Sequence, residues 1–260
     1  MLALDLAAPV DLEGDMTAPL LNTKLFIPPP RPHLVPRPGL VRRLNEDLQL
    51  GRQLTLISAP PGFGKTTLLG EWIQQTGQAV GWISLDQDDN DPARFWAYFI
   101  AALQTIHAQT GEITMAQLRS SQKWSKTLLI GLINEMALIP DPTTLVLDDF
   151  HLVTQHQIHD ALIFAVDNLP PQLNLVISSR ADPPWPLARL RARGQMSELR
   201  ASDLRFTSQE VAAFLNDAMQ LKLPPEDVAA LEERTEGWIA GLQMAAISMQ
   251  GLEDTSGFVQ

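Results

Sequence analysis

Apolar and polar positions fall into two regimes along the chain. From Leu54, short apolar runs bounded by Gly, Pro, Asp or Ser alternate with longer stretches of helical spacing. The short runs are 54–58, 79–85, 144–148, 173–178 and the less regular 196–200, and they read as strands. Helical spacing fills 66–76, 93–108, 126–138 and 156–168. Such alternation predicts an α/β fold, a parallel sheet with helices on both faces. After Phe206 only helical spacing remains. Thr207-Ser208-Gln209-Glu210 reads as a capping box opening a helix to about Met219. Pro224 and Pro225 open a second helix, and Gly237 separates it from a third, 238–249. Leu215, Val228, Leu231, Trp238, Leu242 and Met244 are the expected core of this helical part.

The N-terminal part follows neither pattern. Residues 1–20 are expected to be a poorly ordered lead-in. Lys24 to Pro38 holds six prolines (Pro28, Pro29, Pro30, Pro32, Pro36 and Pro38), which predicts an extended arm. Val41 to Leu50 is expected to be a short helix. The chain therefore divides into a Pro-rich arm (1–38), an α/β domain (39–204) and a helical lid (205–260).

Composition narrows the class. With 260 residues and 45% apolar content, the chain can bury a sizeable core. The absence of Cys excludes disulfides and thiolate metal sites. The longest apolar run, Phe95 to Leu103, is nine residues, too short to span a membrane as a helix. Asp5, Asp11, Glu13 and Asp15 interrupt the N-terminal apolar residues, which argues against a secretion signal and for a cytoplasmic address. A net charge of −11 argues against direct DNA binding.

Residues 54–67 carry the densest chemistry. A β-prone run ends in Ala59-Pro60-Pro61-Gly62-Phe63-Gly64-Lys65-Thr66, followed by helical spacing from Leu68 to Ile73. That is the strand–turn–helix setting of a phosphate-binding loop. Its backbone N–H groups and the positive end of the helix converge on an anion. Lys65 is placed to reach the β- and γ-phosphates, and the Thr66 hydroxyl to sit on Mg²⁺. Ala59 stands where the motif has its first Gly. The following Pro60 biases it to extended angles that Ala adopts without strain.

Two further strand ends add to this. Leu145-Val146-Leu147-Asp148-Asp149 sets two carboxylates at the ligand edge of an α/β sheet. Asp148 is expected to help hold Mg²⁺, leaving Asp149 to orient or deprotonate an attacking water. On its own this pattern also fits a buried strand that ends in Asp. Arg180, after Leu175 to Ser179, either senses the γ-phosphate or is a solvated strand-end charge. Six of the 19 Lys and Arg residues lie between Arg180 and Arg205, without aromatic interleaving, which reads as a solvated or intramolecular docking face. Asp86 to Asp91 resembles a calcium loop but has Asp91 where Gly is needed and Ala97 where Glu is needed, so it reads as a turn. His151, His156 and His159 read as ordinary surface or half-buried histidines rather than metal ligands.

With these blocks in place, the chain resembles the N-terminal nucleotide-binding module of MalT-like regulators. These are the large ATP-binding members of the LuxR family and belong to the STAND class of ATPases. The resemblance rests on Lys24-Leu25, Pro28, Val35-Pro36-Arg37, the loop Ser58–Leu68, Gly81–Asp86 with Asp89-Asn90, Leu147–His151, Ser178-Ser179-Arg180, Leu204–Thr207 and Gly237–Gln243. It covers roughly residues 22–250. It implies a P-loop fold with an extra strand between the loop strand and the sensor-side strands. It also implies an ATP/ADP switch that hydrolyses slowly and self-associates in its ATP state. Nucleotide contacts would come from Arg37, Pro61, Gly62, Phe63, Gly64, Lys65, Thr66 and Thr67. Lys65, Asp149 and Arg180 would serve catalysis, and Thr66 and Asp148 the metal. In that family the sensor and DNA-binding domains follow this module, so inducer sensing and promoter binding are expected of segments or proteins beyond Gln260. The competing readings are a metabolic ATP-dependent kinase, with Arg189–Arg193 as a mobile lid, and a nucleotide-stabilised interaction module without turnover. No Asn-Lys-x-Asp base-reading motif is present, which favours ATP over GTP.

Overall fold

Every position of Leu54–Ser58 is buried, as a strand covered on both faces requires. The computed structural model describes residues 19–29 and 34–250, and in it this strand, β1, lies within a five-stranded sheet. The others are β2 (Ala79–Ser84), β3 (Thr143–Asp148), β4 (Leu173–Ser179) and β5 (Met196–Arg200). All pair in parallel, in the order β2-β3-β4-β1-β5. Ser58 stands level with Ser179 and Arg200, and Leu147 with Ile177, so the C-terminal ends of β1, β3 and β4 share one edge. The expectation of a strand between the loop strand and the sensor strand needs correcting. β4, which ends beside Arg180, pairs directly with β1 and is itself the strand that separates β1 from β3.

Alternate residues of these strands feed two cores. Leu54, Leu56, Leu145, Leu147, Leu175 and Ile177 face the larger one. Ile57, Val146, Val176 and Trp82 face the other. On the second face lie α1 (Pro38–Gln49), which has Pro at its first helical position, and α2 (Lys65–Thr76). The first face is covered by α3 (Pro92–Gln104), α4 (Glu112–Ser121), α5 (Lys126–Met136) and α6 (His156–Asp167).

Helical spacing predicted one helix over 93–108 and none over 112–121. Instead α3 stops at Gln104, where the Thr105 hydroxyl donates to Ala102 O at 2.7 Å, and α4 follows as a separate helix. The first N–H groups of α4 are capped from α5: Glu135 accepts from Thr114 N at 3.0 Å, from the Thr114 hydroxyl at 2.6 Å and from Ile113 N at 3.3 Å. A cap supplied from another helix leaves no local signal. The chain then runs through α7 (Leu187–Ala192), β5 and the one-turn α8 (Ala201–Leu204) into the lid.

In the lid, the expected capping box opens α9 (Ser208–Ala212), and Ala213–Ala218 continues as a π-turn. Then come α10 (Pro225–Thr235) and α11 (Ile239–Met249). Leu215, Val228, Leu231 and Leu242 form its core with Val211, Ala246 and Met249. Two expected core residues lie elsewhere: Met244 is 56% exposed, and Trp238 turns toward the loop after β1.

The arm is tied to the sheet edge by a buried charge. Lys24 pairs with the fully buried Asp89 and with Asp86 at 3.0 Å, and lies over the Tyr98 ring. Burial raises the Asp89 carboxyl pKa, and the Lys24 contact pulls against that rise. The Asp86–Asp91 segment is a turn, as expected: Asp86 caps a 3₁₀ turn over Gln87–Asn90 and Asp91 caps α3. Pro30, Pro32, the lead-in 1–18 and the tail 251–260 lie outside the described residues.

Lys24→Met should destabilise the chain by about 3 kcal/mol, because it strands a buried carboxylate. Arg94, 3.6 Å from Asp89, replaces the lost ammonium only in part. Urea denaturation would measure this, and Lys24→Met/Asp89→Asn should cost less than the two single changes added together. Additive costs would mean that the pair does not anchor the arm.

Candidate functional site

Between β1 and α2 the chain makes a tight loop. Gly62 and Gly64 have φ of +79° and +76°, and Gly64 caps α2 in the left-handed conformation. Ala59 is not among the residues with positive φ, which is why Ala serves there in place of Gly. Lys65 folds back, donating to Ala59 O at 2.7 Å and Pro60 O at 3.1 Å. Burial lowers its pKa, and the charges of Asp149 and Asp148 oppose that. The loop carbonyls thus hold a buried ammonium at the start of α2.

The β3 end lies across from the loop. The Thr66 hydroxyl donates to Asp148 Oδ2 at 2.8 Å, while Asp148 Oδ1 is buried with no partner among the described residues. Burial raises the Asp148 pKa, the nearby Ser178 hydroxyl and the Thr66 hydrogen bond lower it, and the Asp149 charge raises it. A hydroxyl and a buried carboxylate with one unused oxygen form a hard-oxygen donor set that fits Mg²⁺.

Asp149 is the hinge of this edge. It has φ +56°, a conformation Asp tolerates better than most residues, and its side chain is 47% exposed. The short turn after it is clamped from two sides. Phe150 packs on His159 and Trp185, with ring centroids 5.2 and 5.5 Å away. Asn90 donates to Leu152 O at 2.8 Å and accepts from Thr154 N at 2.7 Å and Gln155 N at 3.0 Å. His159 is buried with both ring nitrogens in use: one bonds Val153 O at 2.9 Å, and Nδ1 accepts from Trp185 Nε1 at 3.0 Å. His159 is therefore a structural residue buried more deeply than the surface or half-buried position expected, and His156 is on the surface.

His151 departs from the expectation. Its Nδ1 lies 3.8 Å from Asp149 Oδ1, and both ring nitrogens are buried without a partner among the described residues. Burial, then the nearby Arg180 charge, lower its pKa, so the ring is neutral beside the acidic pair. Its position two residues past that pair was the only available signal. Arg180 is exposed at the end of β4, makes no ion pair with a described residue, and acts on both Lys65 and His151 through space.

On the opposite flank of the loop, the lid encloses a cavity of about 350 Å³. Val35, Phe63, Phe206, Met219, Ile239 and Gln243 are among its walls. The start of α11 bonds the loop directly: Ala240 N donates to Gly62 O at 3.2 Å and Trp238 Nε1 to Pro61 O at 3.1 Å. A Cβ on Gly62 would lie 2.5 Å from Ala240 Cβ and 2.8 Å from Trp238 Nε1. Arg37 also lines this cavity, but its guanidinium serves the lid hinge, donating to Leu204 O and Arg205 O at 2.8 Å and to Glu210 at 3.0 and 3.2 Å.

The predicted residues therefore fall into two groups. Lys65, Thr66, Asp148, Asp149 and Arg180 meet at the strand edge. Gly62, Phe63, Gly64, Thr67 and Arg37 line the cavity, and Pro61 lies under Trp238. The other five Arg residues up to Arg205 pair within the chain: Arg189 and Arg193 with Asp167, Arg191 and Arg200 with Glu198, and Arg205 with Glu236. No described helix is long and apolar enough to cross a membrane, and no group of three metal-ligating side chains occurs among the described residues.

A glycine loop between a buried parallel strand and a helix, facing an acidic strand end across an inserted strand, defines a P-loop ATPase domain. The chain is 37% identical over 232 residues to the HTH-type transcriptional regulator MalT of Cronobacter sakazakii, covering 88% of this chain and 25% of that protein. It is 36% identical over 230 residues to the serine/threonine-protein kinase PknK of Mycobacterium tuberculosis, covering 85% and 21%. The same fold is seen in the Walker-type ATPase of Pyrococcus abyssi, with TM-score 0.54 at 15% identity over 88% of this chain and 71% of that one. No family model matches the chain. This chain is homologous to the N-terminal region of MalT and related to the NTPase module of PknK. It spans about a fifth to a quarter of the length of these curated relatives.

The His159 environment makes a prediction about pH. Burial lowers its pKa, and Nδ1 must stay unprotonated to accept from Trp185. Below the ordinary histidine range the unfolded chain takes up a proton that the folded chain refuses, so stability falls as pH drops from 7 to 5. His159→Gln should lose less stability than the parent over that interval in urea denaturation. Equal losses would remove His159 as the source.

Proposed function

We propose that the chain is an ATP-binding switch module of a MalT-like transcriptional regulator, one that hydrolyses ATP slowly and couples the ATP or ADP state to conformation and self-association. The observation that carries this reading is the bonding of the lid to the phosphate loop itself, through Ala240 N to Gly62 O and Trp238 Nε1 to Pro61 O. Any rearrangement of the loop around phosphates is then felt directly by α11.

The loop N–H groups and the positive end of α2 receive the phosphates. Lys65 exchanges the carbonyls of Ala59 and Pro60 for β- and γ-phosphate oxygens. Thr66 and Asp148 hold Mg²⁺, which supplies charge neutralisation and orientation when bound. Asp149 orients a water and takes its proton, and the neutral His151 ring stands beside it. Arg180 reads the γ-phosphate. The base lies in the cavity beneath the lid, on the flank of the loop away from Asp148 and Asp149. Slow turnover is in keeping with an exposed Arg180 that no ion pair with a described residue fixes, because it is not preorganised.

MalT and PknK differ in the output that their names state, yet both match the same stretch. A module shared between a transcriptional regulator and a protein kinase suits a switch rather than an output. A metabolic kinase would need a mobile Arg-rich lid, and Arg189, Arg191 and Arg193 are held to the body by Asp167 and Glu198. The net charge of −11 and these internal pairs also support a module that does not itself bind DNA.

Three variants separate the roles. By isothermal titration, Lys65→Ala should lower ATP affinity at least about 100-fold. Asp149→Asn should keep ATP·Mg²⁺ affinity and slow multiple-turnover phosphate release by about 100-fold or more. Arg180→Ala should shrink the ATP-to-ADP affinity ratio by about tenfold. Near-parental ATP affinity in Lys65→Ala would overturn the site. No phosphate release from the parent chain would favour the module without turnover.

A further inference from the structure

The cavity beneath the lid is built of apolar side chains with few polar groups, and nearly all of those are already engaged. Arg37 spends its guanidinium on Glu210 and two carbonyls. Both Glu71 oxygens accept from Arg37 N, at 3.0 and 3.2 Å. Thr67 belongs to the first turn of α2, at the phosphate end. Gln243 is different: it lines the cavity, is half-buried, and its carboxamide makes no hydrogen bond with any described residue.

Its position is set by the loop. Ala240 is pinned to Gly62 O, and Gln243 lies three residues on, so both face the same side of α11 and both line the cavity. A carboxamide presents a donor and an acceptor side by side, the pattern needed by an aromatic ring edge with an amino group next to a ring nitrogen. Phe63 and Phe206 supply flat apolar walls for such a ring.

We propose that Gln243 is the specificity-determining residue for the base, bonding the amino group and adjacent ring nitrogen of a 6-aminopurine. This rests on the reading of the cavity as the base side of the nucleotide site. Guanine is disfavoured on the O6/N7 edge, where it presents two acceptors to a carboxamide that offers one donor and one acceptor.

The test is isothermal titration of the full chain and of Gln243→Met, a near-isosteric change, with ATP, purine riboside triphosphate (hydrogen at position 6) and GTP. The parent should prefer ATP over the other two by about tenfold. In Gln243→Met that preference should vanish, with ATP and the 6-hydrogen analogue bound alike and ATP falling by the larger factor, because the analogue loses only the ring-nitrogen bond. A parent indifferent to the 6-amino group would overturn the proposal. So would a variant that keeps the preference, or one that loses both ligands equally. If the parent bound none of the three triphosphates, the nucleotide reading underneath would fall as well.

Discussion

Gly62 has no room for a β-carbon. Its φ of +79° turns the loop, Ala240 and Trp238 occupy the space beside its Cα, and its carbonyl takes the Ala240 N–H. One backbone position therefore shapes the phosphate loop and also docks the lid. The arm reinforces this arrangement, running from Lys24 at the sheet edge to Arg37, which bridges the hinge carbonyls of Leu204 and Arg205 to Glu210 of the capping box. Loop, lid and arm are thus held together around one cavity by polar contacts to backbone atoms.

The opposite flank depends on sheet order. Because β4 lies between β1 and β3, the Asp148–Asp149 edge is one strand removed from the loop and still within reach of Thr66. That gap is the space where charges meet: Lys65, Arg180, Asp148 and Asp149 each perturb a neighbour's protonation, with Lys65 and Asp148 buried and Arg180 exposed. Asn90, Phe150, His159 and Trp185 fix the turn that carries Asp149.

Much of this was legible in the chain. Four of the five strands announce themselves because strands buried on both faces must be largely apolar, and the loop motif keeps its own strand and helix as context, whereas β5 lies at the sheet edge with Glu198 and Arg200 half-buried and gives a weaker pattern. What stayed hidden depends on distant partners. α4 needs Glu135 from another helix for its cap. The direct pairing of β4 with β1 is a matter of topology that no periodicity encodes. His151 looked like one of three unremarkable histidines until the turn placed it beside Asp149. Met244 fits the helical period of a core residue, yet α11 turns that face to solvent while Trp238 is drawn to the loop.

Hydrogen–deuterium exchange with and without ATP and Mg²⁺ is the most direct test of the claim that loop and lid form one nucleotide-responsive unit. Protection should rise together in residues 59–68 and 237–243, and α4 and α5 should be unchanged. Protection confined to the loop, with 237–243 indifferent to nucleotide, would contradict it.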